Sequence, residues 1–167
     1  MTTQKPDVTG YYHDPSGSIA YLVVDPAGAH AAVIDPVLDY DEKSGRVSTQ
    51  SADAILADIA GRKLKIGWIL DTHPHADHLS AAGYFKDRLG APTAIGEKVT
   101  DVQKVWREKY NIADFPTDGK QWDRLFADGD TFSIGIQSCR SFIPDLRAFD
   151  GYIRDELDAF IKAVADR

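Results

Sequence analysis

Residues 71–78 read Asp-Thr-His-Pro-His-Ala-Asp-His and directly follow a run of apolar residues. Three of the five histidines in the chain and one aspartate therefore fall within six consecutive positions. On an extended backbone, residues two apart face the same side, so His73 and His75 can share one metal ion while Asp77 and His78 turn toward a second position. Imidazoles and carboxylates are ligands that Zn²⁺ and Fe²⁺ use in proteins. The pattern predicts a metal-binding loop, and the alternative is a polar loop whose histidines cap the following helix.

The segments on either side of this loop predict alternating strands and helices. Short runs of β-branched and other apolar residues indicate strands, and apolar residues at 3-and-4 spacing indicate helices. Strands are predicted at residues 19–24, 31–34, 64–70 and 131–136, and helices between Ser51 (the N-cap) and Gly61, at 79–89 and at 97–110. We expect residues 1–18 to form an irregular lead-in and residues 37–50 to form a solvent-exposed loop. Both segments contain turn-forming residues and show neither a helical nor a strand-like spacing of apolar residues.

The composition restricts the class of protein. With 167 residues, of which 43% are hydrophobic, the chain is long enough to form one globular domain with its own core. Its net charge of −7 and its lack of a Lys/Arg cluster argue against nucleic-acid binding. No apolar stretch approaches the ~20 residues of a membrane span, and no secretory signal is visible. Cys139 is the only cysteine, which excludes an intrachain disulfide and predicts a cytoplasmic location.

The motif His73-x-His75-x-Asp77-His78 resembles the signature of the metallo-β-lactamase superfamily at every position. The flanking segments that are similar to the branch containing persulfide dioxygenases and glyoxalase II are residues 21–24, 32–37 and 72–82. Persulfide dioxygenase-like members are the most similar. The resemblance implies an α/β (α+β) fold, the αββα sandwich of that family, with residues 19–135 forming its N-terminal half.

The same resemblance implies roles for individual residues. The first two histidines of the motif would be ligands of a first metal ion, and Asp77 and His78 would serve a second ion in the hydrolases of the family. Asp77 is also the candidate catalytic residue. Asp35 and Thr72 would support the metal ligands from behind. Asp35 has an ordinary alternative, because an aspartate before a proline at a strand end commonly just makes a turn.

In function, the resemblance implies a metal-dependent enzyme that acts on a small thiol-derived substrate of the glutathione type, with one or two Zn²⁺ or Fe²⁺ ions. A persulfide dioxygenase-like protein would use iron and O₂ on a substrate such as glutathione persulfide. A glyoxalase-like protein would use two metal ions to lower the pKa of a bound water toward ~7 for attack on a thioester. The identity of the metal separates these two activities.

The second half of the chain departs from the family pattern. A complete family site takes further His and Asp ligands from the second half of the sandwich, but no histidine follows His78. We therefore expect a truncated sandwich, with residues 136–167 as a divergent tail. The alternative function is a catalytically incomplete metal-binding fragment, or a subunit that needs a partner chain. Cys139 or one of Asp145, Asp150 and Asp155 in the tail could in principle supply a replacement ligand.

Apolar residues at helical spacing between Phe149 and Val164 predict an amphipathic helix in this tail. Such a helix either packs against the half-sandwich or docks a partner or a second copy of the chain. A half-sandwich exposes sheet edges and apolar faces, which favours a homodimer unless the helix covers them. Outside the motif, His13 and His30 lie beside turns and are expected to be solvated.

Overall fold

The computed structural model describes residues 5–135 and 137–141, which form eleven strands and three helices. In chain order the elements are β1 (Asp7–His13), β2 (Ser18–Val24), β3 (His30–Ile34), β4 (Val37–Asp41), β5 (Arg46–Ser48), α1 (Gln50–Gly61), β6 (Lys65–Leu70), β7 (Leu79–Ser80), α2 (Ala82–Leu89), β8 (Thr93–Gly96), α3 (Val99–Lys109), β9 (Arg124–Phe126), β10 (Thr131–Ile134) and β11 (Gln137–Arg140). The strands belong to one six-stranded sheet, one three-stranded sheet and one two-stranded hairpin.

The six-stranded sheet has the order β1-β2-β3-β6-β8-β9. Its first three strands are antiparallel neighbours, whereas β3, β6, β8 and β9 are parallel to one another. Because parallel strands end at the same edge of a sheet, the residues that follow β3 and β6 lie side by side. In open α/β sheets this carboxyl edge is where ligands bind.

The central strands β2 and β3 and the end of β6 are buried on both faces of the six-stranded sheet, which explains why they are almost continuously apolar. Alternate residues of β2, β3 and β6 pack against α1 and α2 on one face, with Phe85 of α2 fully buried at the centre. The intervening residues point to the other face and pack against Phe132 and Ile134 of the β10–β11 hairpin. The chain therefore builds a helical layer, a sheet, and strands of a second β layer.

The three-stranded sheet, of order β5-β4-β7, connects the two segments that follow β3 and β6. In it, Val37 lies opposite Ser80 and Leu38 opposite Leu79, directly after the motif loop. The loop is thus fixed by the large sheet at its start and by the small sheet at its end.

The predicted mixed α and β architecture is confirmed, and the strands predicted in β2, β3, β6 and β10 are present within one or two residues. The helices predicted around residues 51–61 and 97–110 are also present. Residue 136 and the predicted tail helix lie outside the described residues. In the part of the chain that the structure describes, no helix is long and apolar enough to cross a membrane.

Three local predictions were wrong. The lead-in predicted at residues 1–18 contains β1, because Asp7–His13 pairs along its whole length with β2. The solvent loop predicted at residues 37–50 contains β4 and β5, whose pairing partners include β7, some 40 residues along the chain. The helix predicted at residues 79–89 begins only at Ala82, because residues 79–80 form β7. In each case a partner strand outside the segment's own pattern supplies the hydrogen bonds, and for β4 and β7 that partner lies about 40 residues away.

Candidate metal centre

The motif loop begins where β6 ends and crosses the carboxyl edge of the parallel strands. Asp35 follows β3 and Asp71 follows β6, so two carboxylates flank the loop at neighbouring positions of this edge. Both are buried, at 5% exposure each. Buried carboxylates require hydrogen-bond donors, and the motif residues supply several of them.

Asp35 is the first of these two anchors. Its backbone has a φ of 48°, a left-handed conformation that aspartate tolerates better than most residues. Its backbone N–H donates to the carbonyl of Leu70 over 2.8 Å, which ties the ends of β3 and β6 together. Its carboxylate accepts the Thr72 N–H at 2.7 Å, the Thr72 hydroxyl at 2.6 Å and Nε2 of His75 at 3.0 Å. Asp35 therefore lies at a strand end, as expected of a turn aspartate, and it also forms hydrogen bonds with Thr72 and with the motif residue His75.

Asp71 is the second anchor, and sequence reasoning missed it. Its carboxylate accepts the Ser80 hydroxyl at 2.7 Å and the indole N–H of Trp122 at 2.7 Å. Nε2 of His75 lies 3.7 Å from the same carboxylate. His75 is therefore held between two buried anions that come from adjacent strands.

The hydrogen bonds around His73 fix which of its nitrogens carries the proton. The Thr72 hydroxyl has one proton, which it donates to the Asp35 carboxylate. The Thr72 oxygen therefore accepts from Nδ1 of His73, 2.8 Å away. This arrangement leaves the lone pair of His73 on Nε2, which is the state of a histidine that can bind a metal.

Asp77 and His78 lie together on the other side of the loop. Asp77 Oδ2 is 3.2 Å from Nδ1 of His78, and the hydroxyl of Ser18 contacts both, at 2.9 and 3.0 Å respectively. Nε2 of His78 is buried and has no hydrogen-bond partner among the described residues. A buried ring nitrogen without a partner is unfavourable unless a ligand occupies it.

The structure brings the four motif residues together. The ring centroids of His73 and His75 are 4.4 Å apart, and those of His75 and His78 are 4.1 Å apart. Ligand atoms of Asp35, His73 and His75 lie within 4.8 Å of one another, and so do those of His75, Asp77 and His78. The sequence spacing pairs His73 with His75 and Asp77 with His78, whereas the geometry makes His75 common to both groups.

The charges of the four motif residues differ because their neighbours differ. Burial lowers the pKa of His73 and of His78, and the charge of His75 lowers both further. Burial acts in the same direction on His75, but its contacts with the Asp35 and Asp71 carboxylates outweigh burial and raise its pKa to about 10. Burial would raise the pKa of Asp77, yet hydrogen bonds from Ser18 and His78 lower it to about 2. At neutral pH two imidazoles are thus neutral and Asp77 is ionised.

These observations show that the residues present fit a metal ion. Two groups, each of two imidazoles and one carboxylate, share His75, the ring nitrogen Nε2 of His78 is buried without a partner among the described residues, and the imidazoles of His73 and His78 are neutral. Borderline ions such as Zn²⁺ and Fe²⁺ match this mixed nitrogen and oxygen donor set. Oxygen partners hold Nδ1 of His73 and of His78 and Nε2 of His75, as histidine ligands require.

The remaining polar candidates have other surroundings. Cys139 is buried in β11, and burial raises the pKa of its thiol to about 11. It belongs to none of the potential ligand groups found among the described residues, and Asp145, Asp150 and Asp155 lie outside that part of the chain. His30 is exposed, as predicted, but His13 is buried with 8% exposure and contacts Ser16 and Asp39, so the prediction that it is solvated was wrong.

The fold and the site define an α/β protein that carries a cluster of histidine and aspartate side chains at the carboxyl edge of its parallel strands. A sequence model of the metallo-beta-lactamase superfamily matches residues 13–162. The chain belongs to this superfamily and has its fold.

Individual relatives agree with this assignment. A "beta-lactamase hydrolase-like protein" of Xylella fastidiosa (strain Temecula1) is 58% identical over 132 residues, which are 79% of this chain and 31% of the relative. "Glyoxylase B2" of Dictyostelium discoideum is 46% identical over 121 residues, 71% of this chain and 41% of that protein. The crystal structure of ETHE1 from Myxococcus xanthus superposes with a TM-score of 0.57 at 22% identity, covering 80% of this chain and 46% of that one. The chain spans about a third of the length of the Xylella relative.

Proposed function

We propose that this chain carries the metal-binding site of an enzyme that acts on a small thiol-derived substrate of the glutathione type. The observation that carries the proposal is the cluster itself, in which two groups of two imidazoles and one carboxylate share His75, and one of the imidazoles, His78, has a buried Nε2 without a partner among the described residues. The names of two relatives, a glyoxylase and a hydrolase-like protein, support a thiol-related substrate and hydrolytic chemistry. The resemblance of the motif and its flanking segments to persulfide dioxygenases supports dioxygenase activity as the alternative to hydrolysis.

His73, His75, Asp77 and His78 would hold the metal, with Asp35 and Thr72 behind them. Thr72 keeps the lone pair of His73 on Nε2 by accepting a hydrogen bond from Nδ1–H, as the hydrogen bonds indicate. Asp77, with its pKa of about 2, stays anionic and accepts hydrogen bonds from Ser18 and His78. When bound, Zn²⁺ supplies Lewis-acid activation of water and a thioester carbonyl, whereas Fe²⁺ supplies redox chemistry with O₂.

The experiment that tests this proposal compares two substrates on protein loaded with either metal. Oxygen consumption with glutathione persulfide in the Fe²⁺ form supports the dioxygenase, and hydrolysis of a glutathione thioester in the Zn²⁺ form supports the hydrolase. His73→Ala should reduce the activity to background in either case, whereas His30→Ala, at an exposed position, should leave it unchanged. Full activity in His73→Ala would contradict the proposal.

A second candidate is a metal-binding subunit whose site is completed by another chain. It is favoured by the position of the five candidate ligands, which all lie within residues 35–78 in the part of the chain that the structure describes. A homodimer, or a complex with a partner, would then provide the remaining ligands. This candidate would be supported over the first if the protein binds its metal ion but is inactive on both substrates. It should then gain activity only when it dimerises or when a partner is added.

We also propose a cytoplasmic location, because a single cysteine, Cys139, cannot form an intrachain disulfide.

A further inference from the structure

Ser18 connects the first strands of the sheet to the motif loop. It is the first residue of β2 and half-buried, and it lies 59 and 60 positions before Asp77 and His78. Its hydroxyl has three partners: Oδ2 of Asp77 at 2.9 Å, Nδ1 of His78 at 3.0 Å and the hydroxyl of Ser16 at 2.5 Å. It thus contacts both residues on the far side of the motif at once.

Proton counting assigns a direction to these contacts. A serine hydroxyl has one proton to donate and two lone pairs that accept. The Ser18 hydroxyl donates its hydrogen bond to Oδ2 of Asp77, because a carboxylate oxygen accepts. Nδ1 of His78 must then carry a proton and donate it, either to Ser18 or to the Asp77 oxygen 3.2 Å away. The lone pair of His78 consequently lies on Nε2, the buried atom without a partner.

Ser18 is itself held in place by a chain of polar groups. Ser16 lies between it and Nδ1 of buried His13, which is 2.6 Å from the Ser16 hydroxyl. Nε2 of His13 lies 3.2 Å from Asp39, whose carboxylate also accepts the backbone N–H of Ser51 at the start of α1. The hydroxyl of Ser18 therefore has little freedom to turn away from the motif.

We propose that Ser18 is a positioning residue that orients Asp77 and His78 and keeps Nε2 of His78 as the nitrogen offered to a metal. The inference rests on the proposed metal-binding function. Loss of the hydroxyl would leave one partner of Asp77 missing and would allow the His78 ring to turn or to change its tautomer. Removal of such a supporting contact typically lowers metal affinity roughly 10–100-fold.

The test uses a matched pair of variants, Ser18→Thr and Ser18→Val, which have nearly the same size and differ in the hydroxyl. The tautomer of His78 is read in the metal-free protein from long-range ¹H–¹⁵N NMR correlations at about pH 8, and Zn²⁺ affinity is measured by competition with a chelator. Ser133→Ala, at an exposed strand position in β10, serves as the control. Circular dichroism reports whether each variant is folded.

We expect Ser18→Thr and the control to keep the Nδ1–H tautomer and the wild-type Zn²⁺ affinity. Ser18→Val should lose the single tautomer and bind Zn²⁺ roughly 10–100-fold more weakly. Equal behaviour of the Thr and Val variants in both measurements would overturn the proposal. If the wild-type protein binds no Zn²⁺, the proposed function fails, but the tautomer in the metal-free variants still decides the role of Ser18.

Discussion

At the scale of residues, the oxygen on one side of each motif histidine decides which nitrogen that histidine offers to a metal. The Thr72 hydroxyl oxygen accepts a hydrogen bond from Nδ1–H of His73, and Asp77 and Ser18 are the acceptors for Nδ1–H of His78. His75 is held through Nε2 by Asp35 instead. The supporting residues therefore determine the ligand atoms as firmly as the motif does.

Asp35→Asn should show this dependence. Asparagine tolerates the left-handed backbone at this position, but its NH₂ group cannot accept the Thr72 hydroxyl. We expect the NH₂ group to donate a hydrogen bond to the Thr72 hydroxyl oxygen. The Thr72 hydroxyl would then donate to Nδ1 of His73, so that the His73 ring would carry its own proton on Nε2. Metal affinity should fall roughly 10–100-fold, measured by chelator competition.

The control for this variant is Asp14→Asn, which changes an exposed turn aspartate. It should leave the metal affinity unchanged. An Asp35→Asn protein with wild-type affinity and an unchanged His73 tautomer would show that Asp35 is only a turn residue.

The motif residues and the contact of Asp35 with them could be anticipated from the sequence, because they are close together or occupy a recognisable pattern. Ser18, Asp71 and His13 could not. Their contacts join segments up to 60 positions apart, and nothing in the local sequence of a serine or a turn histidine marks such a partner. The pairing of β2, β3 and β6 brings Ser18 next to the loop and places Asp71 beside Asp35, whereas His13 is connected to the loop only through Ser16 and Ser18.

At the scale of elements, α1 is capped from outside the helix. The sequence predicts Ser51 as its N-cap, but the helix begins at Gln50, and the Thr49 side chain before it makes no capping hydrogen bond. Asp39 of β4 accepts the Ser51 N–H at 2.9 Å and its hydroxyl at 2.5 Å. A carboxylate near a helix N-terminus satisfies free N–H groups and interacts favourably with the helix dipole.

Asp39→Asn should therefore destabilise the protein by about 1 kcal/mol at neutral pH, measured by urea unfolding. Burial would raise the pKa of Asp39, but hydrogen bonds from Ser51 and the nearby His13 outweigh it and lower the pKa below 3.8. A carboxyl whose pKa is lower in the folded state stabilises the protein above its unfolded pKa and loses that effect as the pH falls.

The stability difference between the wild type and Asp39→Asn should accordingly be largest above about pH 4 and shrink below it. Glu42→Gln, in the exposed turn after β4, is the control and should show no such dependence. A difference that is constant with pH, or that grows in acid, would contradict the assignment.

Elements with a clear spacing of apolar residues could be predicted from the sequence. Strands that depend on pairing with other short strands could not. The helical spacing of Ile55 and Ile59 reflects burial against the sheet, so the sequence contains the signal for α1. β4, β5 and β7 are two to five residues long and get their hydrogen bonds from one another. Short strands of this kind carry too few residues for an alternating pattern.

At the scale of the whole molecule, the centre of the six-stranded sheet is buried on both faces, and the β10–β11 hairpin covers the face opposite α1 and α2. Phe132 and Cys139 are paired across this hairpin and pack into the second core. The thiol is therefore a reporter of whether the hairpin stays on the sheet.

Alkylation of Cys139 by iodoacetamide should be slow in the folded protein. Because burial raises the thiol pKa from 9.0 to about 11, the reactive thiolate at pH 8 is about 100-fold scarcer than in the unfolded chain. Mass spectrometry of samples quenched over time measures the rate, and guanidinium-unfolded protein gives the reference. Equal rates in the folded and unfolded protein would show that the hairpin does not protect the thiol.

The central claim is that residues 73–78 form a metal centre, and native mass spectrometry of the purified chain with added Zn²⁺ or Fe²⁺ tests it most directly. The account predicts at least one ion per wild-type chain and its loss in the double variant His73→Ala/His75→Ala, with His30→Ala retaining the wild-type stoichiometry. The same spectra give the number of chains in the complex. An unchanged metal content in the double variant would contradict the account, because the ion would then be bound elsewhere.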